Sequence, residues 1–314
     1  MEPIFLKPLF MYRIWGGTSL RDNFGYEIPS ENTGECWAIS SHENGDCVVL
    51  NGKFKGFTLS KLWNDHIELF GNTKGDKFPL LTKILDANDN LSVQVHPNDD
   101  YAKINENGEL GKTECWYIIN CDDDAEMIFG HNAKSREELT EMINNNKWDK
   151  LLKKVKIKKG DFFYVPSGTI HALCKGTLVL ETQQNSDTTY RVYDYDRVDN
   201  NGNKRELHIY KSIDVTTVPH IENKNNYKTI STDAFECTTF VSNDFFSVHK
   251  LNTFSECEFK HDKPFSLYSI LEGKGSLTSN SVVYPLAKGD NFILPSTIKD
   301  FKLNGNMEII ISHV

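Results

Sequence analysis

Residues 160–171, GDFFYVPSGTIH, guide the interpretation of the whole chain, because a related segment follows at residues 289–300, GDNFILPSTIKD. Both segments begin with Gly-Asp, continue through a short apolar run and reach Pro-Ser, but only the first ends on a histidine. Apolar runs of this length between turn-forming residues are typical of β-strands. The repeat therefore predicts two copies of one β architecture, with the polar groups kept only in the first copy.

Most of the remaining sequence has the same β character. Short β-branched and aromatic runs alternate with Gly, Asn and Asp, as in CVVLNGKFKGF (47–57), WYIINCDDDAEMIFG (116–130) and TLVLETQQ (177–184). Helical spacing of apolar residues is confined to 59–70 and 135–146, with another short helix expected after Trp148. The sequence thus predicts a mainly β fold of two jelly-roll sandwich or barrel domains with a few short helices.

The composition changes near residues 221–231, IENKNNYKTIS, a polar stretch without periodicity that we interpret as a linker. About 80 residues follow, enough for one small sandwich. We therefore predict a catalytic domain over 1–228, with a small helical insertion at about 135–153, and a C-terminal domain over 229–314 that lacks metal ligands. Laying FSLYSIL (265–271) on ECWYIIN (114–120) aligns Tyr268 with Tyr117 and Phe265 with Glu114.

Charge and cysteine content restrict the function classes. The 314-residue chain carries a net charge of −9, which disfavours nucleic acid as a partner. The seven cysteines are scattered and never spaced C-x-x-C, which disfavours a disulfide framework or a zinc ribbon and favours a reducing cytoplasm. No apolar run reaches the length of a membrane span, and the N-terminus lacks the pattern of a secretory signal.

Four polar residues follow the order of metal ligands in the cupin superfamily, which the sequence resembles. Residues 160–171 match the second cupin motif without a gap, ending on His171. In SVQVHP (92–97), Gln94 and His96 lie two apart and so share one face of a strand, and Glu114 follows. Each residue alone is more often a surface or turn residue. Together, imidazole, carboxylate and amide groups predict a divalent-cation site in a barrel cavity.

Several further blocks resemble the type I phosphomannose isomerases, in the short bacterial form. They are RIWGG (13–17), GECWAIS (34–40), PLLTKILDANDNLSVQVHP (79–97), GKTECWYII (111–119), VPSGTIHAL (165–173) and ETQQNSDTTYRVYDYDR (181–197). The resemblance implies one zinc ion per chain, held by Gln94, His96, Glu114 and His171. It also implies a role for Arg191, and an enzyme that interconverts mannose 6-phosphate and fructose 6-phosphate.

Aldose–ketose isomerisation moves a proton between two carbons through an enediol, so a base and a phosphate anchor are needed as well. We expect Lys112, two residues before Glu114, to be the base, with its pKa lowered toward neutrality by desolvation and by the neighbouring zinc ion and Arg191. Asp187 is expected to orient Arg191 or to relay a proton. Lys83 and Ser92 are the expected phosphate contacts, which the resemblance supports.

Alternatives remain open at this point. His96 is a second candidate base, Glu181 is a candidate partner of the metal ligands, and Lys83 is equally compatible with the barrel exterior. Two other functions also fit parts of the pattern: a sugar-phosphate-binding cupin without turnover, and an Fe(II) cupin oxygenase. The expected partner is a small-molecule sugar phosphate, without nucleic acid or membrane, and the protein is expected to be a monomer or a homodimer.

Overall fold

The computed structural model describes residues 2–198, 202–222 and 226–314. The chain is mainly β, as predicted. In chain order the strands are β1 Ile4–Lys7, β2 Leu9–Gly17, β3 Thr33–Ile39, β4 Ser41–His42, β5 Gly45–Asp46, β6 Val48–Val49, β7 Leu80–Ala87, β8 Val93–Val95, β9 Glu114–Cys121, β10 Glu126–His131, β11 Leu152–Lys156, β12 Phe162–Val165, β13 His171–Leu173, β14 Thr177–Gln184, β15 Tyr190–Tyr193, β16 Lys228–Ser231, β17 Phe235–Ser242, β18 Ser247–Thr253, β19 Cys257–Lys260, β20 Phe265–Ser279, β21 Val282–Ala287, β22 Asn291–Pro295 and β23 Asp300–His313.

The helices are short. Those at Leu59–Asp65, Arg136–Asn144 and Trp148–Leu151 lie where the sequence predicts them, whereas the sequence patterns do not indicate those at Ser19–Phe24 and Ile209–Val215. In chain order the helices are α1 Ser19–Phe24, α2 Leu59–Asp65, α3 Asp99–Asn105, α4 Arg136–Asn144, α5 Trp148–Leu151 and α6 Ile209–Val215, with 3₁₀ turns at Gly52–Phe54 and Ile67–Phe70. Ser135 caps α4, where its side chain accepts a hydrogen bond from the Glu138 backbone N–H. The predicted 59–70 helix is α2 followed by a 3₁₀ turn, which ends at Gly71 in the left-handed conformation.

Three large sheets and a helical layer form the molecule. A five-stranded sheet (β11-β10-β13-β8-β15) faces a six-stranded sheet (β12-β9-β14-β7-β3-β2), and we call this pair the first barrel. A ten-stranded sheet contains most of the C-terminal strands and encloses a second apolar core; we call it the C-terminal barrel. Helices α4 to α6 cover the outer face of the five-stranded sheet, where Val93 and Val95 pack beside Leu139 and Leu151.

The twofold periodicity of strands separates the two faces of the six-stranded sheet. Along β9, Trp116 and Ile118 join the core between the two sheets of the first barrel. The alternate residues Cys115, Tyr117 and Ile119 pack in the core shared with the C-terminal barrel. Glu114 begins this strand in phase with Trp116, so the alternation directs its carboxylate into the first barrel.

The two repeat segments have the same local backbone. Gly160 and Gly289 both have positive φ, 87° and 94°, which a side chain would strain. Their backbone N–H groups donate to the Ile118 and Ile270 carbonyls, both at 2.9 Å. Strands β12 and β22 follow these glycines.

Strand pairing corrects the predicted alignment by one residue. Phe163 pairs with Trp116 and its counterpart Phe292 pairs with Tyr268, so Tyr268 corresponds to Trp116 and not to Tyr117. By the same register Glu114 corresponds to Ser266 instead of Phe265. A one-residue slip exchanges the two faces of a strand, and short aromatic runs do not reveal that slip in the sequence.

The predicted division at residue 228 stays a prediction. Strand β1, from the N-terminal side of that boundary, pairs with β22, with Ile4 opposite Ile293. The predicted linker includes residues 223–225, which lie outside the described ranges. None of the helices within those ranges has the length and hydropathy required to cross a bilayer.

Candidate active site

Three of the predicted metal ligands meet inside the first barrel. His96 follows β8, Glu114 begins β9 and His171 begins β13. Glu114 Oε2 lies 3.5 Å from His96 Nε2, and Glu114 Oε1 lies 3.2 Å from His171 Nε2. One ligand atom from each of the three residues lies within 4.8 Å of the others. All three side chains are buried, so two strands of one sheet and one strand of the other converge on a single point.

Backbone carbonyls orient both imidazoles. His96 Nδ1 lies 2.8 Å from the Thr188 carbonyl, and His171 Nδ1 lies 2.8 Å from the Thr169 carbonyl. Because a carbonyl only accepts, each Nδ1 donates this hydrogen bond, and each Nε2 is the ring nitrogen that faces Glu114. Burial and the neighbouring Lys112 ammonium hold the pKa of His96 well below its usual range, which keeps this ring neutral.

The buried Glu114 carboxylate has the Lys112 ammonium as its charged partner, 2.9 Å from Oε2. The two imidazole Nε2 atoms are its other close neighbours. Burial by itself would raise the pKa of Glu114, but Lys112 and the two histidines outweigh it and hold the pKa well below its usual range. A buried carboxylate between two imidazole nitrogens fits a divalent cation.

Gln94 is adjacent to this triad. Its amide Nε2 lies 3.3 Å from His171 Nε2, on the side of β8 that faces the six-stranded sheet. His171 accepts this hydrogen bond, so it is the amide nitrogen that faces the triad. Ligation by Gln94 requires its side-chain amide to rotate by about 180°, so that the oxygen faces the triad. Ligation by this residue stays a prediction.

Lys112 contacts the triad directly. Its Nζ lies 2.9 Å from Glu114 Oε2 and 3.3 Å from His96 Nε2, and the side chain is buried. The expected lowering of the Lys112 pKa depends on a neighbouring zinc ion and stays a prediction. Among the protein groups alone, the pKa of Lys112 moves the other way. Desolvation does lower the pKa, but the Glu114 and Glu181 carboxylates outweigh it, so the net shift is upward.

A cavity of about 460 Å³ lies beside the triad, and its wall includes Gln94 and Lys112, which contact the triad. Residues from both sheets of the first barrel line it: Tyr12, Arg13, Ile14, Trp15, Glu35, Lys83, Leu85, Leu91, Ser92, Gln94, Lys112, Glu181, Asp187, Thr189, Arg191 and Arg205. All five residues that were expected to act on the proton or the phosphate, namely Lys83, Ser92, Lys112, Asp187 and Arg191, are therefore brought together around one space.

Lys83 belongs to the cavity wall. Only 3% of it is exposed, so the alternative of a lysine on the barrel exterior is wrong. Its Nζ lies 3.6 Å from Asp187 Oδ1 and 3.9 Å from Glu35 Oε2, over the ring of Trp37. Burial alone would raise the pKa of Asp187, but Lys83 and Lys112 lower it overall.

Asp187 does not orient Arg191. In the described part of the chain, Asp187 contacts Lys83 and accepts a hydrogen bond from Asn44 at 3.2 Å. Arg191 instead donates from Nε to Ser92 Oγ at 3.3 Å and from Nη1 to the Glu206 carbonyl at 2.9 Å. Asp187 and Arg191 are four positions apart, and their side chains reach different neighbours because β15 starts between them.

Sequence reasoning missed three charged residues of the cavity. Arg13 forms a bidentate ion pair with Glu35, with N–O distances of 2.8 and 3.0 Å, and Trp37 Nε1 donates to the same carboxylate at 2.7 Å. The alternation of Glu35 with the buried Trp37 on β3 was an available signal for Glu35. Arg205 also lines the cavity, and nothing in its local sequence indicates this.

Glu181 lies deeper in the cavity wall and accepts a hydrogen bond from Trp116 Nε1 at 2.9 Å. Desolvation and the nearby Glu114 charge raise the pKa of Glu181 to about 7. The charge of Glu114 therefore acts on the Glu181 carboxylate, as expected for a neighbour of the metal ligands.

Comparisons with known proteins agree with this geometry. Residues 4–120 match the family model for the phosphomannose isomerase type I catalytic domain, and residues 236–314 match that for the mannose-6-phosphate isomerase cupin domain. The chain is 58% identical to mannose-6-phosphate isomerase ManA of Bacillus subtilis (strain 168), over 100% of this chain and 99% of the relative. It is 55% identical to mannose-6-phosphate isomerase of Streptococcus mutans, over 99% and 98% of the two chains. A crystal structure of mannose 6-phosphate isomerase from Bacillus subtilis superimposes with a TM-score of 0.99, at 55% identity and full coverage of both chains.

Proposed function

The chain belongs to the type I phosphomannose isomerase family, and on this basis we propose that it is a zinc-dependent enzyme that interconverts mannose 6-phosphate and fructose 6-phosphate through an enediol. The observation that carries the proposal is the buried triad of His96, Glu114 and His171, which contacts two residues of the polar cavity wall, Gln94 and Lys112. Backbone carbonyls hold both imidazoles with Nε2 toward Glu114.

The reaction sets three requirements on the site. In the open-chain sugar a proton leaves C2 of the aldose and is returned to C1, while a second proton passes from O2 to O1. Negative charge develops on these oxygens in the enediol stage. The phosphate at the other end of the sugar takes no part in the chemistry, and its binding energy serves to hold the reacting carbons in place.

The metal ligands that we propose are His96, Glu114 and His171, with Gln94 as a fourth. A zinc ion held there supplies a Lewis acid that polarises sugar oxygens and stabilises the charge that develops on them. Imidazole nitrogens and one carboxylate are the donors that zinc prefers in catalytic sites.

We assign proton transfer at the sugar carbons to Lys112. Without a metal its ammonium is held charged mainly by Glu114, 2.9 Å away. When Glu114 serves as a metal ligand, Lys112 loses the full effect of that counter-charge and gains a cationic neighbour. Both changes lower the pKa of Lys112 and favour the neutral amine that accepts a proton from carbon.

The other cavity residues bind and orient the sugar in this proposal. Arg191 offers its guanidinium fork to oxygens of the phosphate or of the enediolate, and Asp187 keeps Lys83 in position through their ion pair. Ser92 and Lys83 are the proposed contacts of the phosphate. Because all seven cysteines are free thiols, we also propose the reducing cytoplasm as the compartment of the enzyme.

The test is conversion of mannose 6-phosphate to fructose 6-phosphate by the purified protein, before and after chelation, combined with metal analysis. We expect about one zinc per chain, loss of activity with chelator and recovery with added Zn²⁺. Tight binding of the sugar phosphate without turnover would contradict the isomerase and favour a binding protein. Recovery with Fe²⁺ but not with Zn²⁺ would contradict the choice of metal.

A further inference from the structure

We propose that Arg205 binds the phosphate group of the substrate, forming with Arg191 and Ser92 an anion site on the five-stranded wall of the cavity. The inference rests on the proposed function, because it takes a sugar phosphate as the ligand. It assigns to substrate binding a residue that the sequence motifs do not mark.

Arg191 and Ser92 establish where this site lies. Ser92 directly precedes β8 and Arg191 lies on β15, and these strands are neighbours at the edge of the five-stranded sheet. Arg191 Nε donates to Ser92 Oγ at 3.3 Å, and both residues line the cavity with Arg205. A hydroxyl beside a guanidinium is a suitable pair of donors for phosphate oxygens.

Asp194 holds Arg205 in a defined orientation. Arg205 Nε lies 2.8 Å from Asp194 Oδ2 and Arg205 Nη2 lies 2.6 Å from Asp194 Oδ1. The carboxylate is buried, and Arg197 Nη2 binds it as well, at 2.6 Å from Oδ1. The bidentate pair uses one edge of the Arg205 guanidinium and leaves Nη1 without a partner in the described residues, so a fixed donor remains available.

The local charge balance favours an anion at this place. Arg197 and Arg205 share one buried carboxylate, Asp194, and Arg197 also lies 3.4 Å from the half-exposed carboxylate of Asp89. Arg191 has no carboxylate within ion-pair distance in the part of the chain that the structure describes. Desolvation, and next the charge of Arg205, lower the pKa of Arg191, which indicates that the two cations repel each other. The carboxylate of Glu206 is 82% exposed, so solvent screens its effect.

The opposite wall does not have this excess of positive charge. Lys83 lies on the six-stranded sheet between two carboxylates, Asp187 at 3.6 Å and Glu35 at 3.9 Å. A phosphate near Lys83 alone therefore meets negative neighbours. A phosphate at Arg191 and Arg205 relieves repulsion between two cations, within a protein whose net charge is −9.

The experiment compares Arg205→Ala with Arg197→Ala in the full-length, zinc-loaded protein. Both variants remove one guanidinium from Asp194, but Arg197 does not line the cavity. We expect Arg205→Ala to raise KM for mannose 6-phosphate by about 10- to 100-fold, with kcat within about threefold of the wild type. Arg205→Lys retains the positive charge but not the planar guanidinium, and it is expected to raise KM less than Arg205→Ala does. Arg197→Ala is expected to change KM by less than about threefold.

Binding of inorganic phosphate, measured by calorimetry, gives a readout independent of turnover. We expect its dissociation constant to rise in Arg205→Ala and to stay near the wild-type value in Arg197→Ala. Unchanged KM and phosphate affinity in Arg205→Ala would overturn the proposal, and so would equal losses in both variants. A wild type that binds phosphate through Arg205 but does not isomerise the sugar would contradict the proposed function alone.

Discussion

The two barrels use one backbone motif for opposite purposes. At the repeated Gly-Asp segment both have a glycine with positive φ, the same backbone hydrogen bond to the neighbouring strand and a proline at the strand end. In the first barrel the inward positions of the paired strand carry Glu114 and Trp116 below an open cavity. In the C-terminal barrel the equivalent positions carry Ser266 and Tyr268.

Aromatic packing fills the second interior. Tyr268 stacks on Phe292 with ring centroids 4.9 Å apart and planes 7° apart, and Phe301 lies edge-on to the same tyrosine at 6.3 Å. Asp300, at the position of His171 in the repeat, is exposed to solvent. The comparison teaches that the same backbone encloses either an aromatic interior or a polar cavity, and that the side chains decide between them.

Replacing Glu114, the carboxylate of the metal-binding triad, should have the largest effect on zinc content and activity. Glu114→Gln removes the only carboxylate of the triad, so we expect bound zinc to fall to a small fraction per chain and kcat/KM to fall by at least about 10³-fold. Metal analysis and steady-state kinetics measure both. Ser266→Ala changes the equivalent position of the C-terminal barrel and should retain metal and activity. Full zinc content in Glu114→Gln would show that the triad is not the binding site.

Lys112→Met separates proton transfer from metal binding. Methionine retains most of the buried stem but neither charge nor proton, so we expect normal zinc content and a fall in kcat of about 10²- to 10⁴-fold. Lys302→Ala, which removes an exposed lysine of the C-terminal barrel, is the control and should leave kcat unchanged. Turnover near the wild-type rate in Lys112→Met would exclude this residue as the base.

Phe292→Ala tests whether the apolar core of the C-terminal barrel contributes to stability only. The substitution leaves a cavity beneath Tyr268, and we expect a loss of about 3–5 kcal/mol in the free energy of unfolding. Zinc content and KM of the folded protein should not change. Phe292→Leu fills most of the space and should lose less than about 1.5 kcal/mol. The roles assigned to the two barrels would be wrong if Phe292→Ala lost its metal while still folded.

Low pH should weaken the C-terminal barrel through His249. Burial, and next the charges of His313 and Lys263, lower its pKa to about 4, and its Nε2 lies 3.1 Å from His313 Nε2. Because the folded-state pKa lies below the unfolded value of about 6.5, the folded state resists protonation. The contribution of His249 is therefore complete above pH 6.5 and is lost as the pH falls toward 4, by about 3 kcal/mol.

Chemical denaturation of chelated protein at several pH values measures this loss without a contribution from metal release. His249→Gln keeps the hydrogen bond to Thr239 possible and does not titrate, so its stability should fall less between pH 6.5 and 4 than that of the wild type. Equal slopes for the two proteins would contradict a role of His249.

Local rules explain what could be predicted. The cap at Ser135 and the left-handed Gly71 follow from residue type and position, and the structure contains both. Alternation along strands placed Gln94 and His96 on the cavity side. The predicted alignment of Tyr268 with Tyr117 was wrong by one residue, because the adjacent Trp116 is also aromatic and fits the pattern equally well. Val93 and Val95 pack beneath helices and not between the sheets, because helices α4 to α6 cover that face.

By itself the sequence determined the β architecture and the repeat, since strand periodicity is a local property, and its resemblance to the cupin motifs indicated the donor set of His96, Glu114 and His171. Only the tertiary structure decided that Lys112 pairs with Glu114, that Asp187 pairs with Lys83, and that Arg205 reaches the cavity. The physical reason is that a charge responds to all charges and solvent within several ångströms. Its neighbours come from strands far apart in the chain, and no local pattern encodes their distances.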